Sequence, residues 1–212
     1  MIEQDPPRVA PLRMADLFSG SRSVSNVFRA RGWEAETVDL IDGQDVRDWE
    51  PIGHYDLIWA SPPCELFSVA GHFKHWTMEH GVLTPRDQRA IDALDLLYMT
   101  RKKMLDSKSQ FAFIENPRGL MRKAILFSEP ETTWWCQWGD ERAKPTDIWA
   151  LRGWPSGITP LPICHNGAND HARAPRGAKT GTQGRKGVLE RSRIPVAFTT
   201  RLAECIEAEV GV

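Results

Sequence analysis

The side chains best equipped for chemistry stand directly behind short apolar runs. Cys64 follows two prolines in Ala60–Ser61–Pro62–Pro63–Cys64–Glu65–Leu66–Phe67–Ser68, after the run Asp56–Leu57–Ile58–Trp59–Ala60. Two prolines cannot donate to a strand ladder, and they fix the backbone of a turn. The thiol is therefore held stiffly at the carboxyl end of a strand, where open α/β sheets keep their sites. A structural cysteine needs no such presentation; a nucleophile does. Glu115 enters in the same way, because Phe111–Ala112–Phe113–Ile114 reads as a central strand running into Glu115–Asn116–Pro117. A third strand end carries Asp16–Leu17–Phe18–Ser19–Gly20–Ser21, a small turn that lets backbone amides and a helix N-terminus approach a ligand closely. Asp39 stands where dinucleotide folds keep an acid for the ribose diol, and Asp45 is of the type that accepts from an adenine amino group. Singly, these acids read as loop residues. Together they outline a nucleotide-like pocket beside a rigid thiol and a rigid carboxyl.

The elements that must position these groups alternate. Leu12–Phe18 is a short buried strand; Ser23–Gly32 is a helix, with Val24, Val27, Phe28 and Ala30 near helical spacing and Gly32 stopping it. Ala35–Leu40 and 55–60 are further strands. Strand, turn, helix, strand is the opening of an α/β fold with a mostly parallel, doubly wound sheet and helices on both faces. Arg86–Leu105 is a long amphipathic helix with Ile91, Leu94, Leu97, Tyr98, Met104 and Leu105 at helical intervals, and Thr84–Pro85 reads as its start. Weaker strands follow around Trp134–Trp135 and over Asp147–Leu151. The expected division is a loose end over 1–11, a catalytic domain over 12–151, Gly/Pro-rich basic loops over 152–193, and a terminal helix over 194–212 that packs back on the catalytic domain.

Composition supports one domain. The chain has 212 residues, 41% hydrophobic and 26% charged, enough for a real core with little left for a second one. A net charge of −1 excludes a global field that steers the chain to acidic partners, but the charge is uneven. Residues 1–60 hold eleven Asp/Glu against six Lys/Arg, whereas 173–193 hold seven Lys/Arg against one Glu. No signal peptide and no apolar run near ~18 residues is found, so neither secretion nor membrane insertion is expected, and the four cysteines read as reduced in a cytoplasmic setting. Of nine tryptophans, Trp59 and Trp149 read as core. Trp33, Trp76, Trp134, Trp135, Trp138 and Trp154 lie beside polar or Gly/Pro segments, where core packing competes with stacking on a base.

Taken in order, DLFSG at 16–20, Asp45–Val46, PPC at 62–64 with Phe67–Ser68 behind it, and ENP at 115–117 resemble the DNA cytosine-5 methyltransferase family over about residues 12–121. The resemblance implies a Rossmann-like class I methyltransferase fold and S-adenosylmethionine as methyl donor. It places the donor on Asp16, Leu17, Phe18, Ser19, Gly20, Asp39, Leu40, Asp45, Val46 and Pro62. It makes Cys64 the thiolate that adds to carbon 6 of a flipped cytosine and Glu115 the group that protonates or hydrogen-bonds N3. DNA is the implied partner, with no membrane role, a monomer expected, and host cytoplasm as the location if a bacteriophage encodes the chain. Such compact members resemble phage-encoded enzymes.

The chain departs from the family in several places. Glu65 stands where glutamine is usual, and its charge is expected to raise the neighbouring thiol's pKa. The family's arginine-bearing strand survives as Trp138–Lys144, so Arg142 and Lys144 are carried over to hold the base's oxygen or a phosphate. Arg191–Pro195 replaces a glycine–asparagine pair and is expected to close the cofactor pocket. No large target-recognition domain is present; Arg173, Arg176, Lys179, Arg185, Lys186, Arg191 and Arg193 among glycines are expected to follow a phosphate backbone with little sequence reading. Cys136, Cys164, His165 and His171 offer zinc-ligand types, but their spacing matches no standard finger and they are expected to be unligated. Alternatives keep the fold but act on RNA or a nucleotide, use a carboxymethyl-bearing donor read by Arg22, or bind DNA as a catalytically degenerate regulator.

Overall fold

Period-two alternation along four apolar runs builds two hydrophobic layers. The computed structural model describes residues 10–68, 72–124, 129–164, 171 and 187–212. In chain order its elements are β1 (Arg13–Leu17), α1 (Ser25–Ala30), β2 (Glu34–Val38), β3 (Leu57–Ala60), α2 (His72–His75), β4 (Trp76–Glu79), β5 (Val82–Pro85) and α3 (Gln88–Asp106). There follow β6 (Phe111–Pro117), β7 (Glu131–Trp134), β8 (Pro145–Ala150), α4 (Val188–Ser192) and α5 (Val196–Val210). One sheet runs β2-β1-β3-β6-β8-β7, with β2, β1, β3 and β6 parallel, β8 antiparallel to β6, and edge strand β7 antiparallel to β8.

Met14, Leu57, Trp59, Phe111, Phe113 and Ile148 face one side, where Phe28 of α1 and Phe198, Leu202 and Ile206 of α5 cover them. Ala15, Leu17, Ile58, Ala60, Ala112, Ile114 and Trp149 face the other, under Ala90, Leu97 and Met104 of α3. Both faces are dry, which is why the central strands read as unbroken apolar runs rather than as alternating ones. Among the described residues no helix is long and apolar enough to cross a membrane.

Two expectations are corrected. β6 continues through Pro117, so Glu115–Asn116–Pro117 lies within a strand rather than beyond it. Antiparallel β8 supplies the partner, pairing Glu115 with Ile148 and Pro117 with Thr146. Thr84–Pro85 belongs to β5, and α3 is instead capped by Asp87, whose carboxylate accepts from Ala90 N at 3.0 Å. The β4–β5 hairpin was not read from the sequence; His80 and Gly81, at φ 52° and 84°, make its tight two-residue turn.

Trp59 and Trp149 are core, as expected. Trp33, Trp76 and Trp135 are buried too, packed on Phe28 at 4.8 Å, Phe67 at 5.5 Å and Phe198 at 5.2 Å. None of these three has a face left for a base.

Candidate active site

The carboxyl ends of β1, β3 and β6 lie side by side, and the chemistry-bearing residues stand there. Ser61 N donates to Leu17 O at 3.1 Å, carrying β3 one step further along β1 before Pro62 and Pro63 turn the chain. Asn116 Nδ2 donates to Pro62 O at 2.9 Å, a buried bond that ties the turn bearing Cys64 to the strand bearing Glu115. A second tie lies beyond it: Leu120 N donates to Phe67 O at 2.8 Å. At Gly119 the chains approach so closely that a Cβ would sit 2.5 Å from that same oxygen. Gly119→Ala is expected to push the two segments apart, costing about 1–3 kcal/mol of stability. It is also expected to lower turnover by about 100-fold through misplacement of the thiol. Calorimetry and steady-state rates check both.

Cys64 is exposed and free. Crowding by surrounding atoms raises its thiol pKa, Lys144 pulls it down, and Glu115 pushes it up. Glu115 is buried at the strand end, and desolvation holds its carboxyl above the usual range, opposed first by Lys144 and then by a hydrogen bond from Ser61. Its Oε1 has no partner. Thiol, carboxyl and ammonium thus share one electrostatic neighbourhood, and a buried acceptor is left facing no protein donor. Glu65, expected to burden the thiol, instead pairs with Arg89 at 3.0 Å.

The glycine turn is bent by Phe18 and Gly20, with φ 59° and 38°. Phe18 N donates to Val38 O at 2.8 Å and Gly20 N to Asp39 Oδ2 at 2.8 Å, so the turn hangs on the end of β2. A Cβ at Gly20 would meet Leu189 and Asp39 at 3.7 and 3.8 Å, while Ser19 Oγ is buried without a partner. Leu40 and Ile41 are exposed apolar side chains next to Asp39. Asp45 accepts from Arg47 N at 2.8 Å. Leu17, Val46 and Pro62 are buried beneath this rim.

Two residues are placed differently from expectation. Asp16 points inward: it is 2% exposed, its Oδ2 accepts from Ser25 N at 3.1 Å, and burial pushes its pKa up to about 6. It holds the start of α1 beneath the turn rather than facing a ligand. Arg142, 2% exposed, spends every guanidinium hydrogen inside the protein. Nε and Nη2 donate to Asp140, and Nη1 and Nη2 reach the carbonyls of Glu190, Arg191 and Arg193 at 3.1–3.2 Å. No donor remains for a base or a phosphate, and Arg142 instead fastens α4 and the chain after it beside the site. Lys144 Nζ donates once, to Arg191 O at 3.3 Å, and keeps further hydrogens for a ligand. Arg22, which a carboxylated donor would require, pairs with Asp42 at 2.5 Å.

Arg191 is half-buried and its charge reaches the Cys64 thiol, and Arg193 is exposed. Arg173, Arg176, Lys179, Arg185, Lys186 and His165 lie outside the described residues, as does most of the expected loose end at 1–9. Cys136, Cys164 and His171, distant in sequence, come together in space. Sequence reasoning missed Ser61, Asn116, Gly119 and Leu189. Gly119, behind ENP, carried the one local signal, a glycine where two chains must touch.

No family model matches the sequence. A curated relative does: the "Probable DNA (cytosine-5)-methyltransferase" of Frog virus 3 (isolate Goorha) is 27% identical over 215 residues, which span 91% of this chain and 99% of that protein. Over nearly its whole length the chain is thus similar to a protein named as a DNA cytosine-5 methyltransferase. The viral relative has nearly the same compact length. Solved structures similar to the chain include a candidate DNA modification methyltransferase encoded within an E. coli prophage (15% identity, TM-score 0.47, 66% of this chain and 46% of that one). Others are the Entamoeba histolytica methyltransferase EhMeth (11%, 0.46, 74% and 57%) and a mutant DNMT2 of Spodoptera frugiperda (15%, 0.39, 77% and 57%). The chain spans about half the length of these solved proteins.

Proposed function

We propose that the protein transfers a methyl group from S-adenosylmethionine to carbon 5 of cytosine in DNA, through a transient bond between Cys64 and carbon 6 of a base swung out of the duplex. One observation carries the reading: an exposed thiol on a proline-braced strand end shares its surroundings with a buried carboxyl whose Oε1 has no partner. Carbon 5 of cytosine is a poor nucleophile. Addition of a thiolate at carbon 6 moves electron density onto carbon 5 and makes it reactive. Glu115, whose desolvation favours the protonated form, donates its proton toward N3 as the Cys64–carbon 6 bond forms. Lys144 stabilises the thiolate beforehand and has hydrogens free for the base's oxygen. Once carbon 5 carries the methyl group, solvent water or hydroxide takes its proton, the Cys64 thiolate leaves carbon 6, and N3 returns its proton to Glu115, which restores the ring.

The donor fits the turn at β1. Its charged end meets the unsatisfied hydroxyl of Ser19 at that turn, whose own amides are spent on Val38 O and Asp39. Asp39 keeps acceptor capacity for a ribose, and exposed Leu40 and Ile41 offer an apolar face for adenine. Asp45 is left for the adenine amino group. The group bound there supplies an electrophilic methyl. Arg191, Arg193 and the five basic residues of 173–186 carry the phosphate backbone.

The test is to incubate the protein with DNA and isotopically labelled donor, digest, and identify the labelled nucleoside. 5-Methylcytosine is expected. Recovery of N4-methylcytosine or N6-methyladenine, or label in RNA alone, overturns the proposal.

A further inference from the structure

We propose that Cys136, Cys164 and His171 form a zinc site that pins the root of the basic segment 172–186 to the edge of the sheet. Spacing in sequence argued against ligation; the fold removes that objection. Cys136 sits in the tight turn after β7, and Cys164 lies two residues beyond Pro162, whose carbonyl bonds to the same strand. Thr133 Oγ1 donates to Pro162 O at 2.9 Å and Trp134 N to the same oxygen at 3.4 Å. These two bonds lay the cysteine-bearing segments side by side without any metal.

His171 completes the cluster, its Nδ1 lying 3.6 Å from Cys164 Sγ. All three ligand atoms lie within 4.8 Å of one another. Zinc bonds of about 2.3 Å to sulfur and about 2.0 Å to nitrogen give tetrahedral edges of roughly 3.8 Å between sulfurs and about 3.5 Å from sulfur to nitrogen. The Cys164–His171 edge already has that length, and the longest edge needs to close by no more than about 1.3 Å. Two thiolates and an imidazole are a soft set that suits zinc and excludes magnesium or calcium.

The placement explains why such a clamp is useful. Arg142 fastens the far end of the basic segment by the carbonyls of Glu190, Arg191 and Arg193. A metal at His171 fastens the near end. A Gly-rich basic segment held at both roots loses less freedom when it meets a polyanion than one held at a single root.

The experiment uses the full chain without a histidine tag, purified under reducing conditions and reconstituted with zinc. About one zinc per chain is expected, with loss in Cys164→Ser and in His171→Ala and retention in Cys205→Ala, whose α5 thiol is not among the grouped ligand atoms. Because a variant can fail simply by unfolding, the wild-type protein is also titrated with cobalt. Thiolate-to-cobalt charge transfer together with intense tetrahedral visible bands, saturating at one equivalent, is expected. A chain that takes up neither metal, a Cys164→Ser variant that binds as the wild type does, or an intact mass showing a Cys136–Cys164 disulfide under those conditions overturns the proposal.

Discussion

Cys64→Ala is expected to lower methylation by at least about 10,000-fold and to eliminate the covalent complex that the wild-type protein forms on DNA containing 5-fluorocytosine. The size follows from what the thiolate does: without it carbon 5 stays unactivated, and neither binding nor positioning substitutes for a missing bond. Fluorine at carbon 5 cannot leave as a proton does, so the carbon–sulfur bond persists and is seen as a mass increase or a gel shift that survives denaturation. Stability should move by no more than about 0.5 kcal/mol, since Cys64 is exposed and Asn116, Ser61 and Leu120 hold the turn through other atoms. Loss of activity with an unchanged melting curve is therefore the expected pair of results. An adduct that persists in Cys64→Ala removes the thiol from the mechanism.

Much of this architecture is legible locally. Paired prolines announce the presentation of Cys64 because proline acts on its own backbone. The apolar runs of β1, β3 and β6 announce a buried sheet because each strand is covered on both faces. What resisted reading depends on contacts between distant segments. The strand at Glu115–Pro117 extends only because β8 returns antiparallel to it, and nothing within ENP encodes that partner. Motif logic gave Arg142 to the substrate, yet the carbonyls of three residues some fifty positions later consume its donors. Asp16 shows the same limit. Its place in DLFSG suggests a ligand contact, while the pleat turns its carboxylate inward to the first turn of α1. The convergence of Cys136, Cys164 and His171 likewise arises from β7 bonding to the carbonyl of Pro162.

The second large effect concerns the acid. Glu115→Gln keeps the shape and a hydrogen-bond donor but has no proton to transfer, so a loss of about 100- to 10,000-fold in turnover is expected. Its pH profile is diagnostic. The productive wild-type state pairs a Cys64 thiolate with a protonated Glu115, so activity rises and then falls with pH in two steps that belong to the pair; glutamine cannot titrate, so the falling limb should vanish and the rising limb remain. Stability should move the opposite way. The folded carboxyl binds its proton more tightly than the unfolded one, whose ordinary value is 4.5. The native state therefore loses stability as pH climbs from that value through the raised folded value, and keeps the deficit above it. Glutamine removes the deficit, so the variant should melt at or above the wild-type temperature at pH 8 and show less pH dependence in that window. An enzyme crippled in turnover yet undiminished in stability is what a buried acid kept for chemistry predicts, because the desolvation that raises its pKa is a cost to the fold and a gain to the reaction. A variant that loses both together, or that keeps the alkaline limb, would instead make Glu115 a packing residue and leave protonation of the base to Lys144.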